Sequence, residues 1–235
     1  MKEAHAVLQV AAVISLTALT LSSAIGQSAV DRCVNEGKAF SGEVQIDGCT
    51  EAIQSGKWSG KDLSWAYSDR GIAYYNKGDY DRAIADFNKV IELNPNYAKA
   101  YINRGNAYDN KGDHDRAIAD YNKAIELNPN SAAAYKNRGE VYGNKGDHDR
   151  AIADYNKAIE LDRKYAAAYY DRGIAYKEKK DYDRAIADYS KAIELNPNYA
   201  TAYYNRGLAK KAIGDTAGGD ADIAKAKQLQ LGIKQ

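Results

Sequence analysis

The stretch that decides the fold is residues 98–131, AKAYINRGNAYDNKGDHDRAIADYNKAIELNPNS. In its first part, Tyr101, Ala107 and Tyr108 recur at helical spacing and lie on one side of a helix. After the tripeptide KGD, a second apolar stripe with the same spacing runs to Leu127. The stretch therefore predicts two amphipathic helices joined by a short turn.

Residues that end and begin helices stand around these two stripes. Gly112 suits the left-handed conformation that terminates a helix. Asp113 or Asp115 can cap the next helix and face its positive end. Asn128 precedes Pro129 and is therefore pushed out of the helical region, which ends the second helix.

The same unit recurs along the chain with a step of 34 residues. Arg-Gly pairs begin at Arg70, Arg104, Arg138, Arg172 and Arg206, and AIAD strings begin at Ala83, Ala117, Ala151 and Ala185. Proline keeps this register except in the third unit, where Arg163 takes its place. One helix pair cannot bury its own apolar face, so such an array is stable only when neighbouring pairs stack.

This unit resembles the tetratricopeptide repeat (TPR), whose period is 34 residues. The second unit carries the small, aromatic and proline residues of that family at the family's places: Gly105, Ala117, Ala124, Tyr101, Tyr108, Tyr121 and Pro129. The resemblance, which extends to exported bacterial TPR proteins, implies an all-α fold. That fold is a right-handed superhelical solenoid of antiparallel helix pairs with an open concave face.

The repeat register divides the chain into consecutive segments. We expect a signal peptide at 1–26, an atypical amino-terminal helical hairpin at 27–63, TPR units at 64–97, 98–131, 132–165 and 166–199, and a degenerate fifth unit with a capping helix at 200–235. The fifth unit departs from the pattern because Gly219 and Ile223 replace its alanine and tyrosine.

The amino terminus has the pattern of an export signal. Lys2 precedes an uncharged run from Ala6 to Leu21, and small residues follow up to Gly26. Cleavage is expected before Gln27, or alternatively after Ala24. An uncleaved anchor is the other interpretation, although a run of about 16 residues is short for a membrane span.

Export changes how the cysteines are interpreted. Cys33 and Cys49 are the only two, and an even count in an oxidising compartment favours a disulfide between them. A metal-binding or redox-active pair is the alternative, but CxxC spacing is missing. We therefore predict that this bond staples the amino-terminal hairpin.

Charge and motif content exclude several function classes. The 33 basic and 32 acidic residues give a net charge of +1, without the basic excess of a nucleic-acid binder. Acids and hydroxyls recur identically in each unit, whereas a catalytic constellation is asymmetric. His114 and His148 stand where other units have tyrosine, which indicates packing. We predict no enzyme activity, no catalytic residues, no cofactor and no metal.

A periodic set of opposite charges runs through the repeats. Its members are Arg70, Arg104, Arg138, Arg172, Arg206, Asp86, Asp120, Asp154 and Asp188. The arginines could bind a polyanion, or the two signs could pair between helices as a structural ladder. Their equal periodicity favours the structural ladder, because a partly buried charge needs a partner.

The remaining variable positions lie on the first helix of each unit, which in the TPR family lines the concave groove. The candidate partner-binding residues are Trp65, Ile72, Tyr75, Lys99, Ile102, Asn106, Lys136, Glu140, Tyr170, Ile174, Tyr204 and Leu208. Exposed aromatics in a groove are favoured binding anchors, but some of these can instead pack internally. The carboxylate clamp of chaperone-binding members is missing, because Ile102, Ala167 and Asp171 do not fit it.

These observations predict a non-enzymatic scaffold that binds a peptide or protein in its groove. The expected location is the bacterial cell envelope, in the periplasm, or outside the cell, with no membrane span after signal cleavage. The alternative is a structural envelope component that self-associates as a homo-oligomer. The sequence does not identify the partner.

Overall fold

The computed structural model describes residues 28–231. Over that range the chain forms α-helices and two short 3-10 turns, with no β-strand. The helices are α1 Ala29–Val34, α2 Gly42–Gln54, α3 Ser64–Asn76, α4 Tyr80–Leu93, α5 Ala98–Asn110, α6 His114–Leu127, α7 Ala132–Asn144, α8 His148–Leu161, α9 Ala166–Glu178, α10 Tyr182–Leu195, α11 Ala200–Ala212 and α12 Thr216–Gln230. The predicted all-α fold of repeated helix pairs is confirmed. The predicted signal peptide lies outside the described residues.

The chain divides into two compact units, Met1–Pro95 and Asn96–Gln235. The described part of the first contains α1 to α4, and that of the second contains α5 to α12. Within the second unit, each first helix of a pair contacts the second helix of the preceding pair. Successive first helices (α5, α7, α9 and α11) also contact one another, so they share one face, which we call the first-helix face.

The turns between paired helices follow the sequence signals. Gly112 has a φ of 79°, and the Asp113 side chain accepts a hydrogen bond from the Arg116 amide, so Asp113 and not Asp115 is the cap. The fourth unit lacks this glycine, and Lys180 takes its place with a φ of 60°. A left-handed conformation costs a non-glycine residue roughly 1–2 kcal/mol.

Small residues let the paired helices approach closely. A Cβ on Gly105 would lie 2.7 Å from Cε1 of Tyr121, whose ring is buried between α5 and α6. Ala117 and Ala124 are fully buried beside it. Aromatic rings therefore fill the space that the missing side chains leave.

The amino-terminal hairpin is built differently. Cys33 on α1 and Cys49 on α2 are fully buried, and their sulfur atoms lie 2.01 Å apart, at bonding distance. A Cβ on Gly48 would lie 2.6 Å from Cβ of Arg32, so only glycine permits this approach of the two helices.

Candidate functional site

The predicted charges are paired across each helix pair. Arg138 on α7 donates from Nε and Nη2 to the two carboxylate oxygens of Asp154 on α8, at 2.8 and 2.6 Å. Asp154 is only 6% exposed, so the pair is shielded from water. The same two-point contact joins Arg70 to Asp86, Arg104 to Asp120, Arg172 to Asp188 and Arg206 to Asp222.

In the second compact unit, a third donor of three of these arginines reaches the preceding helix pair. Nη1 of Arg138 donates to Asn122 Oδ1 at 2.6 Å, and Nη1 of Arg172 donates to Asn156 Oδ1 at 2.6 Å. Arg206 makes the equivalent bond to Ser190 Oγ at 3.1 Å. The guanidinium groups are thus engaged with internal acceptors, which is the geometry of a structural ladder.

Asp222 is a further member of this ladder that was not predicted. Asp222 pairs with Arg206 and also lies 2.9 Å from Lys210 Nζ. It stands 34 residues after Asp188, so the repeat register could have identified it although its neighbours had diverged.

The candidate groove residues of the first compact unit make internal contacts. Trp65 packs against the buried cluster around Cys33 and Cys49, with its ring edge-on to Trp58 at 5.4 Å. Tyr75 lies 5.5 Å from the ring of Tyr80. Trp65 therefore contributes to packing here, which was the alternative interpretation of these aromatics; Ile72 is half-buried.

In the second unit some candidates make internal contacts, including Ile174 against the buried Tyr189 cluster, and others are exposed. Asn106 accepts hydrogen bonds from Tyr121 Oη and Asn137 Nδ2, both at 2.8 Å. Tyr170 accepts one from Asn205 Nδ2 at 2.8 Å and packs against Tyr189 and Tyr199. Lys99 is exposed, Ile102 and Ile174 are half-buried, and Tyr204 and Leu208 are 44% and 39% exposed.

One charged cluster breaks the repeat pattern on this face. Lys136 Nζ lies 2.5 Å from Glu140 Oε2 and 3.3 Å from Asp171 Oδ2, so a single ammonium serves two carboxylates. Burial raises the pKa of Asp171 to about 6, and the nearby Glu140 acts in the same direction. Burial would lower the pKa of Lys136, but the carboxylates of Asp171 and Glu140 raise it above its usual value.

A cavity of about 360 Å³ lies beside this cluster, between α7 and α9. Its lining includes Glu140, Gly143, Tyr155, Asp171 and Glu178. His148 also lines it, and its counterpart His114 lies 2.9 Å from Asp109 Oδ1.

Within residues 28–231, no group of three or more histidine, cysteine, aspartate or glutamate side chains is arranged to hold a metal ion. Over the same range, no helix has the length and apolar character needed to cross a membrane.

Sequence profiles and solved structures agree on the family. A tetratricopeptide repeat profile matches residues 64–97, 98–131 and 132–165, a second one matches 154–187, and a TPR repeat profile matches 175–214. The crystal structure of MamA is 31% identical, with a TM-score of 0.63 over 69% of this chain and 95% of that chain.

Two further structures are similar in fold. A tetratricopeptide repeat protein from Parabacteroides merdae is 20% identical, with a TM-score of 0.70 over 85% of this chain and 76% of that one. YrrB, described as a TPR protein with an unusual peptide-binding site, is 22% identical, with a TM-score of 0.60 over 79% of this chain and 94% of that chain. No curated protein matches the chain by sequence. The profiles together extend from residue 64 to residue 214, and the chain belongs to the tetratricopeptide repeat family.

Proposed function

We propose that this chain is a non-enzymatic scaffold that holds a peptide or protein against the first-helix face of residues 96–231. The observation that carries the proposal is where the repeats differ. The arginine and aspartate ladder is repeated in each of the four helix pairs of this unit. On the first-helix face, by contrast, equivalent places hold Asn106, Glu140, Ile174 and Leu208.

The proposed location is the cell envelope or the exterior. It is supported by the signal-like sequence at 1–26 and by the bonding distance between the two cysteine sulfurs, since disulfides persist in oxidising compartments. Within the first-helix face, Tyr204 and Leu208 are the anchors that we favour, because they are large, apolar and substantially exposed.

Site-specific photo-crosslinking in the native host tests this proposal. A photoreactive phenylalanine analogue replaces Tyr204 or Leu208, and Ile213 is the matched control because it is apolar, 50% exposed and located at the end of α11. We expect a discrete crosslinked partner from positions 204 and 208 but not from 213. Equal crosslinking at all three positions contradicts the proposal, and a crosslink to a second copy of the chain supports the self-association alternative.

A further inference from the structure

Two cavities lie at equivalent places on the first-helix face, one repeat apart, and different residues line them. The cavity of about 360 Å³ between α7 and α9 has a counterpart of about 330 Å³ between α9 and α11. Gly143, Asn144 and His148 of the first correspond, one repeat later, to Lys177, Glu178 and Tyr182 of the second. Repetition supplies the shape of both, so the differences in their linings are specific to each site.

The first cavity is acidic. Its lining carries the carboxylates of Glu140, Asp171 and Glu178 and no lysine or arginine. Lys136 pairs with the first two and Lys177 lies 3.0 Å from Glu178, so three carboxylates share two ammonium groups. The second cavity is lined instead by Lys177, Lys180 and Leu208 together with Glu178.

Gly143 keeps the first cavity open. The equivalent places in the other pairs hold Tyr75, Asp109, Lys177 and Lys211. A Cβ on Gly143 would meet only the Ala151 Cβ and the Tyr155 hydroxyl oxygen, each at 3.8 Å, so packing does not require a glycine here. A glycine within a helix costs roughly 0.5–1 kcal/mol relative to alanine, and this cost has no structural return.

The Tyr155 hydroxyl gives a second, independent indication of a ligand. Tyr155 is 4% exposed, lines the cavity and makes no hydrogen bond among the described residues 28–231. Its equivalent Tyr121 donates to Asn106 at 2.8 Å. In the third unit that acceptor is replaced by Glu140, which turns to Lys136 instead. The hydroxyl of a buried tyrosine, which has no hydrogen-bond partner among residues 28–231, therefore lines an acidic cavity.

We propose that the cavity between α7 and α9 binds the basic side chain, arginine or lysine, of the polypeptide held on the first-helix face. This inference rests on the proposed function and names the chemistry of the partner. The side chain's cationic head lies among Glu140, Asp171 and Glu178, and its aliphatic stem lies against Ile174 and Ala175, which also line the cavity. Tyr155 can accept a hydrogen bond from the same head group, since a cation offers only donors.

NMR titration of the purified exported chain tests this inference. The probes are acetyl-Gly-Arg-Gly-amide and acetyl-Gly-Lys-Gly-amide, with citrulline and norleucine peptides as uncharged controls of similar shape. We expect the basic peptides to shift the amide signals of Gly143 and Glu178 saturably in the millimolar range, and the uncharged peptides to give less than a tenth of those shifts. Equal shifts from charged and uncharged peptides, or no shifts from any of them, overturn the inference.

Two variants at one position separate occlusion from misfolding. Gly143→Lys introduces the residue of the next pair and should reduce binding at least tenfold, because it fills the cavity and neutralises its charge. Gly143→Ala adds a Cβ that fits and should retain binding within about threefold, with unchanged circular dichroism in both variants. Retained binding in Gly143→Lys contradicts the proposed location. If crosslinking at Tyr204 captures a partner while basic peptides fail to bind, the scaffold proposal stands and only this inference falls.

Discussion

The second compact unit contains two kinds of ion cluster, and they differ in the number of cations for each carboxylate. In the ladder, Arg138 meets the single carboxylate of Asp154 through two hydrogen bonds. In the first-helix cluster, Lys136 is shared between Glu140 and Asp171. Its ammonium lies 2.5 Å from Glu140 but 3.3 Å from Asp171, so the Asp171 carboxylate has the weaker contact. The two-point contact between arginine and aspartate recurs in the five helix pairs from α3/α4 to α11/α12, whereas an ammonium shared between two carboxylates is described only for Lys136 among residues 28–231. We infer that the arginine and aspartate pairs stabilise the fold, and that the cluster with one ammonium for two carboxylates takes part in partner recognition.

Breaking one ladder pair should have the largest effect. Asp120→Ala leaves Arg104 partly buried without its carboxylate, and such a loss typically costs about 3–5 kcal/mol of unfolding free energy. Urea denaturation followed by circular dichroism measures the change. Asp115→Ala is the control, because Asp115 is 87% exposed and pairs with Lys145 at the surface, where ion pairs contribute about 1 kcal/mol or less. Equal stability of the two variants would contradict a structural ladder.

Opening the proposed disulfide should have the next largest effect. At the amino-terminal edge of the ladder, Arg70 donates to Thr50 on the hairpin that carries Cys33 and Cys49. A Cys33→Ser/Cys49→Ser variant should lose about 3 kcal/mol, as expected for a closed loop of this size. Hydrogen exchange of α2 amides measures the loss, and mass spectrometry with and without reductant tests the bond itself. Two free thiols in the protein isolated from its native host would refute the pairing.

The cluster of Lys136, Glu140 and Asp171 should make the unfolding free energy depend on pH. An unfolded aspartate titrates near pH 3.9, whereas the pKa of Asp171 in the folded chain is about 6. Between these values the folded state holds more protons, so the unfolding free energy decreases as the pH rises from about 4 to 6, by up to about 3 kcal/mol. Above pH 6 this contribution is lost and the slope ends.

Asp171→Asn isolates that pH effect. Asparagine is the residue at the equivalent places 103, 137 and 205, so the variant imitates the other three pairs of the second unit. The difference in unfolding free energy between wild type and variant, measured by urea denaturation at several pH values, should change across pH 4–6 and be constant from pH 7 to 8. A difference that does not vary with pH would show that Asp171 titrates normally.

The smallest effect concerns the open cavity. Gly143→Ala should raise the unfolding free energy by about 0.5–1 kcal/mol, because alanine is the better helix residue and its Cβ meets no clash. Gly139→Ala is the matched control in the same helix, and its Cβ would lie 2.9 Å from Cε1 of Tyr155. We expect thermal melting to show stabilisation by the first change and destabilisation by the second. Destabilisation by both would indicate that Gly143 has a packing role.

What the sequence predicts well is what the chain repeats. The helix pairs and their turns follow from periodic apolar residues and from the glycine, aspartate and proline residues that begin or end helices. The family assignment follows from the same residues. The choice of Asp113 as the cap could not be made from the sequence, because Asp115 offers the same chemistry. Lys180 in a left-handed conformation shows that the turn tolerates loss of its glycine.

The candidate site is less accessible to sequence reasoning. Lys136 and Glu140 could be placed on the first-helix face, but their sharing with Asp171 depends on how α7 and α9 approach each other. The role of Gly143 depends on a missing side chain that opens a space above Tyr155. The sequence places Trp65 among the groove candidates, but its packing against the amino-terminal hairpin could not be predicted, because that hairpin lies outside the repeat register.

The third hydrogen bond of the ladder arginines has an evolutionary consequence. Arg138 and Arg172 each reach the same place in the preceding pair, Asn122 and Asn156, and Arg206 reaches Ser190 at that place, so each of these three junctions joins one donor to one acceptor. A gene encoding such a chain can gain or lose a whole module by unequal recombination, and each new junction is complete when it forms. The joint itself therefore sets no limit on the number of modules.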